Sequence, residues 1–301
     1  MATNQGFKSM IPVRGLLRAD YLYHWLRSHR SYFEGLGNGA TFKEVSKAVV
    51  SRVTLPVPPV AEQSRIATIL DQADALRTMR KAVVDQTDAL EQAIFEQQIG
   101  QTNIWPERAI GDFARSIRTG PFGSQLLHSE FIDAGVAVLG IDNAVANTFA
   151  WGERRFITET KYRSLNRFRV YPRDVIITIM GTCGRAAVVP DDIPLAITTK
   201  HLCSITLDES VCLPEFLHAC LLRHPAVLKQ LGVTARGAVM PGLNMGLVKA
   251  TMIPLPPLSV QKEFATRQRE IAFNRNRFKK SKGMLEALFA SLQHRAFCGE
   301  L

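Results

Sequence analysis

Residues 55–63 read LPVPPVAEQ, and 198 positions later residues 253–261 read IPLPPLSVQ. At that spacing Pro56, Pro58, Pro59 and Gln63 meet Pro254, Pro256, Pro257 and Gln261. The same spacing pairs Gly39-Ala40 with Gly237-Ala238, and Leu90 and Ile94 with Leu288 and Leu292. Upstream it becomes 195, pairing Leu36-Gly37 with Leu231-Gly232, Tyr21-Leu22 with Phe216-Leu217, and Ala2-Thr3-Asn4 with Ile197-Thr198-Thr199. A register held over about 100 residues with one three-residue shift is an internal repeat. The chain therefore reads as a first repeat tail (1–103), a single-copy middle (104–196) and a second repeat tail (197–301). The middle is expected to be the front half of the second unit. The first unit is then expected to lack its own front half, about 95 residues, so that Met1 falls inside a domain.

Each tail ends in a long helical stretch beyond the Pro-rich junction, because prolines suit an extended entry and not a helix interior. In the first copy Ile66, Ile69, Ala73, Leu76, Arg80, Val83, Thr87, Leu90 and Ile94 alternate by three and four, as in a heptad seam. In the second copy the matching positions are Phe264, Arg267, Ile271, Asn274, Phe278, Ser281, Leu285, Leu288 and Leu292. Neither helix buries its seam alone, so the apolar members of the two seams are expected to face each other. Arg80 and Asn274 are expected to set register, and Ser259 to cap the second helix.

The middle has a different texture. VAVLGI (136–141), DVIITIM (174–180), AAVVP (186–190) and LCSITL (202–207, just past it) are short β-rich runs bounded by Gly, Pro and Asp. Shorter helical stretches are expected at Tyr21–Tyr32 and Glu215–Leu231. Mixed α+β units joined to a two-helix rod are the predicted architecture.

Among the 301 residues, 46% are hydrophobic and 21% charged, as in a folded chain. Lys and Arg number 37 against 27 Asp and Glu, a net +10 that suits a polyanionic partner. Residues 259–301 hold 9 Lys/Arg against 4 Asp/Glu, whereas 101–196 hold 11 against 10, so charge alone picks out no DNA face. No apolar run reaches the roughly 18 residues of a membrane span, and no signal-peptide pattern opens the chain. A soluble, cytoplasmic protein is expected. Cys183, Cys203, Cys212, Cys220 and Cys298 are odd in number with no CxxC, which points to reduced structural thiols.

No catalytic constellation is present. The sequence lacks GxxxxGK[ST], HExxH, GxSxG and CxxC, an Asn/Asp-Pro-Pro-Tyr/Phe segment and a Gly-rich dinucleotide loop, and its seven histidines are scattered. No metal site and no cofactor of its own are expected. The candidate anion contacts lie in loops. Arg115, Arg118, Thr119, Gly120, Phe122 and Ser124 join guanidinium groups to a Gly-rich turn, a combination suited to phosphates or guanine edges. Lys161, Arg163, Arg167 and Arg169 form a second cluster, and Thr199, Lys200 and His201 a third. Thr182 and Arg185 flank the Gly181–Gly184 turn, and Arg236 completes the set. An ordinary tight turn at 181–184 is favoured over a phosphate cradle.

These segments resemble the specificity subunit of type I restriction–modification systems. The resemblance rests on TNQGFKS (3–9), YLYHWLRS (21–28), GATFKEVSK (39–47) and LPVPPVAEQSRIATILDQADALR (55–77). In the second unit it rests on TGPFGS (119–124), GTCGRAAVVP (181–190), IPLPPLSVQKEF (253–264) and AFCGEL (296–301). It implies an α+β fold in which mixed α/β target recognition domains are joined by long helices forming an antiparallel coiled coil. Each domain would read half of a split double-stranded DNA target. The subunit itself would be non-catalytic and would dock modification (methyltransferase) subunits and a restriction (translocase/endonuclease) subunit. S-adenosylmethionine, ATP and Mg would belong to those partners.

Carried onto this sequence, the resemblance gives the end of a first recognition domain (1–59), a central helical spacer (60–103), a second recognition domain (104–258) and a terminal helix (259–301). The departure is the missing front of the first domain, which leaves three explanations open: a broken subunit, completion by another chain, or self-association. A chain that only binds modification subunits through its helices, without reading DNA, is the alternative function.

Overall fold

The computed structural model describes residues 7–37, 44–100, 104–233 and 242–301. Arg236, Ala2–Asn4 and the Gly39-Ala40/Gly237-Ala238 pairing lie outside them. In chain order the helices are α1 (Ala19–Ser28), α2 (Arg30–Leu36), α3 (Lys47–Val50), α4 (Val60–Gln98), α5 (Glu159–Leu165), α6 (Pro214–Arg223), α7 (Pro225–Gln230), α8 (Met245–Ala250) and α9 (Leu258–Cys298). The strands are β1 (Glu107–Ala109), β2 (Ala114–Thr119), β3 (Val136–Leu139), β4 (Phe156–Ile157), β5 (Arg169–Val170), β6 (Val175–Thr178), β7 (Ala186–Val188), β8 (Ala196–Thr198), β9 (Leu202–Leu207) and β10 (Met252–Pro254). The fold is α+β, as the sequence predicts. It divides into two compact units: residues 1–87 with 273–301 (unit 1), and residues 88–272 (unit 2). The division cuts both long helices rather than falling at their ends.

The repeat is present as structure. α1 and α6 share their bounds at the spacing of 195, and α3 and α8 start at matching positions at 198. Both short helices are capped alike: the Ser46 side chain accepts from Val49 N, and that of Asn244 from Leu247 N. The helical stretch expected at 21–32 breaks at His29. Its counterpart breaks at the matching His224, where Pro225 cannot continue the preceding helix and opens α7 instead. α9 begins one residue before Ser259, which therefore lies inside its first turn and is not its cap.

Along α4, burial follows Gln63, Ile66, Leu70, Ala73, Arg77, Arg80, Val84, Thr87, Glu91 and Ile94. Along α9 it follows Gln261, Phe264, Gln268, Ile271, Arg275, Phe278, Lys282, Leu285, Phe289 and Leu292, the same positions 198 residues on. Of the expected seam, Ile66, Ala73, Arg80, Thr87 and Ile94 lie on the first of these rows, and Phe264, Ile271, Phe278, Leu285 and Leu292 on the second. Between them, each exposed member gives way to the neighbouring position one residue on. Leu76, Leu90 and Leu288 are exposed, as are Arg267 and Asn274, while Ile69, Val83 and Ser281 are half-buried, as are Ala73, Arg80, Ile94, Phe278, Leu285 and Leu292. The true positions carry charged groups whose stems pack while their heads find partners. The Arg77 guanidinium lies 4.4 Å from the Phe289 ring centre, Arg80 lies 5.4 Å from that of Phe278, and Glu91 pairs with Arg223.

In unit 1 these helices run antiparallel. Ile66 and Leu70 share a core with Phe289, Ala296 and Tyr21, while Arg80 meets Phe278. The Tyr21 hydroxyl donates to Pro56 O at 3.0 Å, tying α1 to the Pro-rich entry. In unit 2 Phe95 meets Phe264 edge-on at 5.9 Å, and Phe264 meets Phe216 at 6.2 Å.

Among the described residues unit 2 holds three sheets. β2-β9-β6-β7 is wholly antiparallel, and β4-β3-β8-β5 contains one parallel pair, β3 with β8. A two-stranded ladder pairs β1 with β10. The four runs read as strands from the sequence become β3, β6, β7 and β9, and nearly all their residues are buried. Such continuous apolar runs arise because both sheet faces are covered. One core joins the β2-β9-β6-β7 sheet to α6 and to Phe95 and Phe264, and two smaller cores flank the other sheet. The five cysteines are free, and Cys203, Cys212 and Cys220 are buried. Burial pushes the Cys203 thiol up to about 12, consistent with an inert core residue.

Candidate nucleic-acid interface

The topology of unit 2 gathers loops from distant parts of the sequence at one end of its two four-stranded sheets. Thr119, at the end of β2, faces Cys203 near the start of β9, and Thr178, at the end of β6, faces Leu202. β8 ends at Thr198 and turns through 199–201 into β9, while β3, parallel to β8, ends beside it at Leu139. Loops 120–125, 140–145, 179–185 and 199–201 therefore emerge together. Three of the segments singled out in the sequence, TGPFGS, GTCGR and Thr199-Lys200-His201, converge here.

Backbone contacts fix them. A Cβ on Gly120 would stand 2.3 Å from Thr198 O, so only glycine lets the 119–124 loop lie against the 198–199 backbone. Thr199 N donates to Leu139 O at 2.9 Å, and Ile179 N to His201 O at 2.8 Å. Between them opens a cleft of about 640 Å³ lined by Pro121, Gly123, Gly140, Ile141, Asp142, Glu153, Arg155, Thr199, Lys200 and His201, among others. The Thr199 hydroxyl is buried there and has no hydrogen-bond partner among the described residues. Burial, reinforced by the charges of Lys200 and Arg155, holds the His201 imidazole below its ordinary value.

Asp142, Glu153 and Arg155 were not among the sequence candidates. Arg155 and Asp142 form an ion pair, placed by the β3–β4 ladder, in which Val138 N donates to Arg155 O at 2.9 Å. Asn143 braces the same turn, accepting from Gly140 N at 2.8 Å and donating to Ala150 O at 2.9 Å. A hairpin between VAVLGI and the chain near Phe156 would have been the signal, but 13 residues of separation hide the pair from any short-range spacing.

Other candidates sit elsewhere or are already engaged. Arg115 stands at the opposite end of β2, paired with Asp208 at 3.2 Å. Arg118 is corrected from a DNA contact to a core tie. Its guanidinium pairs with the buried Asp174 and donates to Thr206 Oγ1 at 2.8 Å and to Arg169 O at 2.6 Å. Thr206 in turn donates to Asp174 at 2.5 Å. Burial pushes the Asp174 carboxyl up, and Arg118 pulls it down. Two guanidinium groups lie over the Tyr171 ring, Arg118 at 5.0 Å and Arg169 at 4.9 Å. Lys161 pairs with Glu130 at 2.6 Å and Arg163 with Glu159 at 3.5 Å, both on or beside α5. Arg167 packs over Phe168 at 4.7 Å.

The Gly181–Gly184 segment is the tight turn the sequence favours. Gly181 and Gly184 have φ of +73° and +80°, where side chains are strained. The Thr178 hydroxyl accepts from Arg185 N at 2.9 Å and donates to Thr182 O, and Gly184 N donates to Thr178 O at 2.9 Å. Those N–H groups are spent inside the turn, so it cradles no phosphate with them. Thr182, Arg185, Phe122, Ser124 and Lys200 are exposed. Arg167, Arg185 and Lys200 make no ion pair among the described residues. Among the described residues no group of three or more His, Cys, Asp or Glu is placed to hold a metal, and no helix is long and apolar enough to cross a membrane.

The fold and its loop cluster define a class: a two-unit α+β protein built on an internal repeat, each copy ending in a long helix, with one unit presenting polar loops around a cleft. Residues 1–86 and 105–277 match the model of the type I restriction modification DNA specificity domain, and the chain belongs to that family. It is 22% identical to the type I restriction enzyme EcoBI specificity subunit of Escherichia coli, over 93% of this chain and 65% of that one. It is 21% identical to the MjaIX specificity subunit of Methanocaldococcus jannaschii, over 88% and 64%. The chain thus spans somewhat less than two thirds of these relatives' length. A structure from work on complex assembly and conformational transition of the type I R-M system shares the fold, with 17% identity and a TM-score of 0.64 over 96% of this chain and 73% of that one. The HsdS subunit from Thermoanaerobacter tengcongensis does so with 18% identity and a TM-score of 0.54, over 96% and 72%.

Proposed function

We propose that the protein is a DNA-reading subunit of a type I restriction–modification complex, and that unit 2 reads one part of the target through the loops at the Thr119, Leu139, Thr178 and Thr198 strand ends. The observation that carries this is the convergence of those four loops. Lys200, Arg185 and Arg167 supply guanidinium and ammonium groups to the phosphate backbone, and the cleft around Thr199, Asp142 and Arg155 offers donors and an acceptor to base edges. In this reading the long helices dock the modification subunits, and the methyl donor, ATP and Mg are held by those partners and not by this chain.

The test is to co-express the chain with a modification subunit in a methylation-free host and map genomic methyl-adenine. A defined motif that is relaxed or lost with Lys200→Ala and Arg185→Ala supports the proposal. A stable complex that methylates no motif sinks it, and favours a chain that binds partners through its helices alone.

A further inference from the structure

Arg118 and Arg155 hold their carboxylates in opposite ways. Every guanidinium nitrogen of Arg118 is spent inside the core: Nη2 pairs with Asp174, Nη1 donates to Thr206 Oγ1 and Nε to Arg169 O. Arg155 pairs with Asp142 through Nη2 alone. Among the described residues its Nε is buried without a partner, as is Asp142 Oδ2, and its Nη1 makes no hydrogen bond. A saturated pair is a structural tie, whereas a pair at a cleft with donors to spare has the makings of a binding site. The backbone is shaped to this pair. A Cβ on Gly140 would stand 2.7 Å from both Arg155 Nη2 and Asp142 Oδ1, and one on Gly152 would stand 2.1 Å from Asp142 Oδ2. Gly140 has φ of −121° and ψ of −171°, extended backbone that any residue adopts. What excludes a side chain at 140 is therefore the guanidinium–carboxylate pair and not the turn.

Charge decides which part of a duplex such a pair meets. Asp142 and Glu153 line the cleft beside Arg155. Two carboxylates next to one guanidinium repel an anionic phosphate but not the neutral edge of a base. The free N–H groups of Arg155 lie on Nη1 and Nη2, the two nitrogens of one fork, and a fork needs two acceptors side by side. In the major groove guanine presents such a pair, O6 and N7, whereas adenine sets a donor beside its N7 and cytosine offers a donor. We propose that Arg155 reads a guanine of the target, with Asp142 as the positioning residue that aims its fork and Gly140 leaving room for it. Resting on the DNA-reading proposal for unit 2, the assignment adds one base and the side chain that selects it.

The test selects duplexes from a randomised pool with the complex of the full chain and a modification subunit, and compares the enriched motifs of the unaltered chain, Arg155→Ala, Gly140→Ala and Asp142→Asn. Arg155→Ala and Gly140→Ala are expected to lose the preference for guanine at one and the same position by about tenfold or more, with the rest of the motif retained. Asp142→Asn, which keeps an acceptor for Arg155 but not the charge, relaxes that position less. A motif unchanged at every position, relaxation at a different position in each variant, or a loss of affinity spread evenly over all sequences, as for a phosphate contact, overturns the proposal and leaves DNA reading intact. Enrichment of no motif by the unaltered complex overturns DNA reading, and this proposal with it. Should Arg155→Ala fail to fold in a thermal melt, Gly140→Ala and Asp142→Asn, which both retain the guanidinium, decide.

Discussion

Gln63 and Gln261, 198 residues apart, make the same three hydrogen bonds. Gln63 Oε1 accepts from Arg18 N at 2.8 Å, and its amide donates to Leu16 O at 2.9 Å and Pro58 O at 2.8 Å. Gln261 Oε1 accepts from Leu213 N at 2.9 Å, and its amide donates to Val211 O at 3.0 Å and Pro256 O at 2.8 Å. Both side chains are fully buried, and each locks the entry of a short helix to a Pro-rich junction. Prolines have no N–H with which to build such a lock from backbone alone, which explains why a buried amide is kept in both copies.

Replacing either glutamine with leucine keeps the bulk but strands an N–H and two carbonyls. The expected cost is about 2–3 kcal/mol for each variant, since buried unsatisfied groups are expensive. Urea unfolding followed by residue-resolved exchange checks this, with Gln63→Leu loosening unit 1 and Gln261→Leu loosening unit 2. A variant as stable as the parent would show that the hydrogen bonds carry little net stability.

Arg118 and Lys200 should separate stability from DNA binding. Arg118→Ala leaves Asp174 buried without its ion-pair partner, an expected loss of about 3–5 kcal/mol in thermal or urea unfolding. Lys200→Ala removes an exposed ammonium group and should leave stability within about 0.5 kcal/mol. On the proposed function, it weakens DNA binding for all sequences and lowers the magnitude of the log–log salt slope by about 1. Equal losses of stability in the two variants would contradict the burial difference.

How much of this was legible from residues alone differs by element. The junction prolines, Gln63 and Gln261 reveal the repeat, and with it both long helices, because an identical spacing survives substitution of nearly everything around it. The strands β3, β6, β7 and β9 are legible because their apolar runs are short and bounded by turn residues. The partnership of Arg118 with Asp174 is not legible. It exists because β9 lies between β2 and β6, a matter of strand order that no spacing in the sequence encodes. The same holds for Asp142 and Arg155, and for the convergence of the four loops, which needs the parallel pairing of β3 with β8.

Three histidines of unit 2 set a pH dependence. Burial holds His201, His218 and His224 below the ordinary imidazole value. A lowered folded value means that the fold prefers the neutral ring, so the contribution is complete above the unfolded value of about 6.5 and is lost as pH falls through the folded values. The melting temperature should therefore fall as pH drops from about 7.5 to about 5.5. His218→Gln, which can still donate to Ala186 O and Asn147 O, should remove part of that slope. A flat profile over this window would refute the assignment.

The corrected seam makes a prediction that the apolar pattern alone would reverse. Reading by hydrophobicity places Leu76, Leu90 and Leu288 in the helix contact, yet all three are exposed while Arg77, Glu91 and Phe289 fill the packed positions. Leu76→Lys and Leu288→Lys should each change stability by no more than about 0.5 kcal/mol. Phe289→Ala should cost about 3–5 kcal/mol, because its ring shares a core with Ile66, Leu70 and Tyr21 and carries the Arg77 guanidinium on its face. Arg77→Leu tests the remaining point. It keeps apolar contact with Phe289 and leaves Asp74, which Arg77 holds at 2.5 Å, paired with Arg27 at 2.6 Å. Because Arg27 still satisfies that carboxylate, Arg77→Leu should be tolerated within about 1 kcal/mol. Circular dichroism melts of the four variants decide between the two registers: a large loss at Leu76 or Leu288 with a small one at Phe289 would restore the original seam.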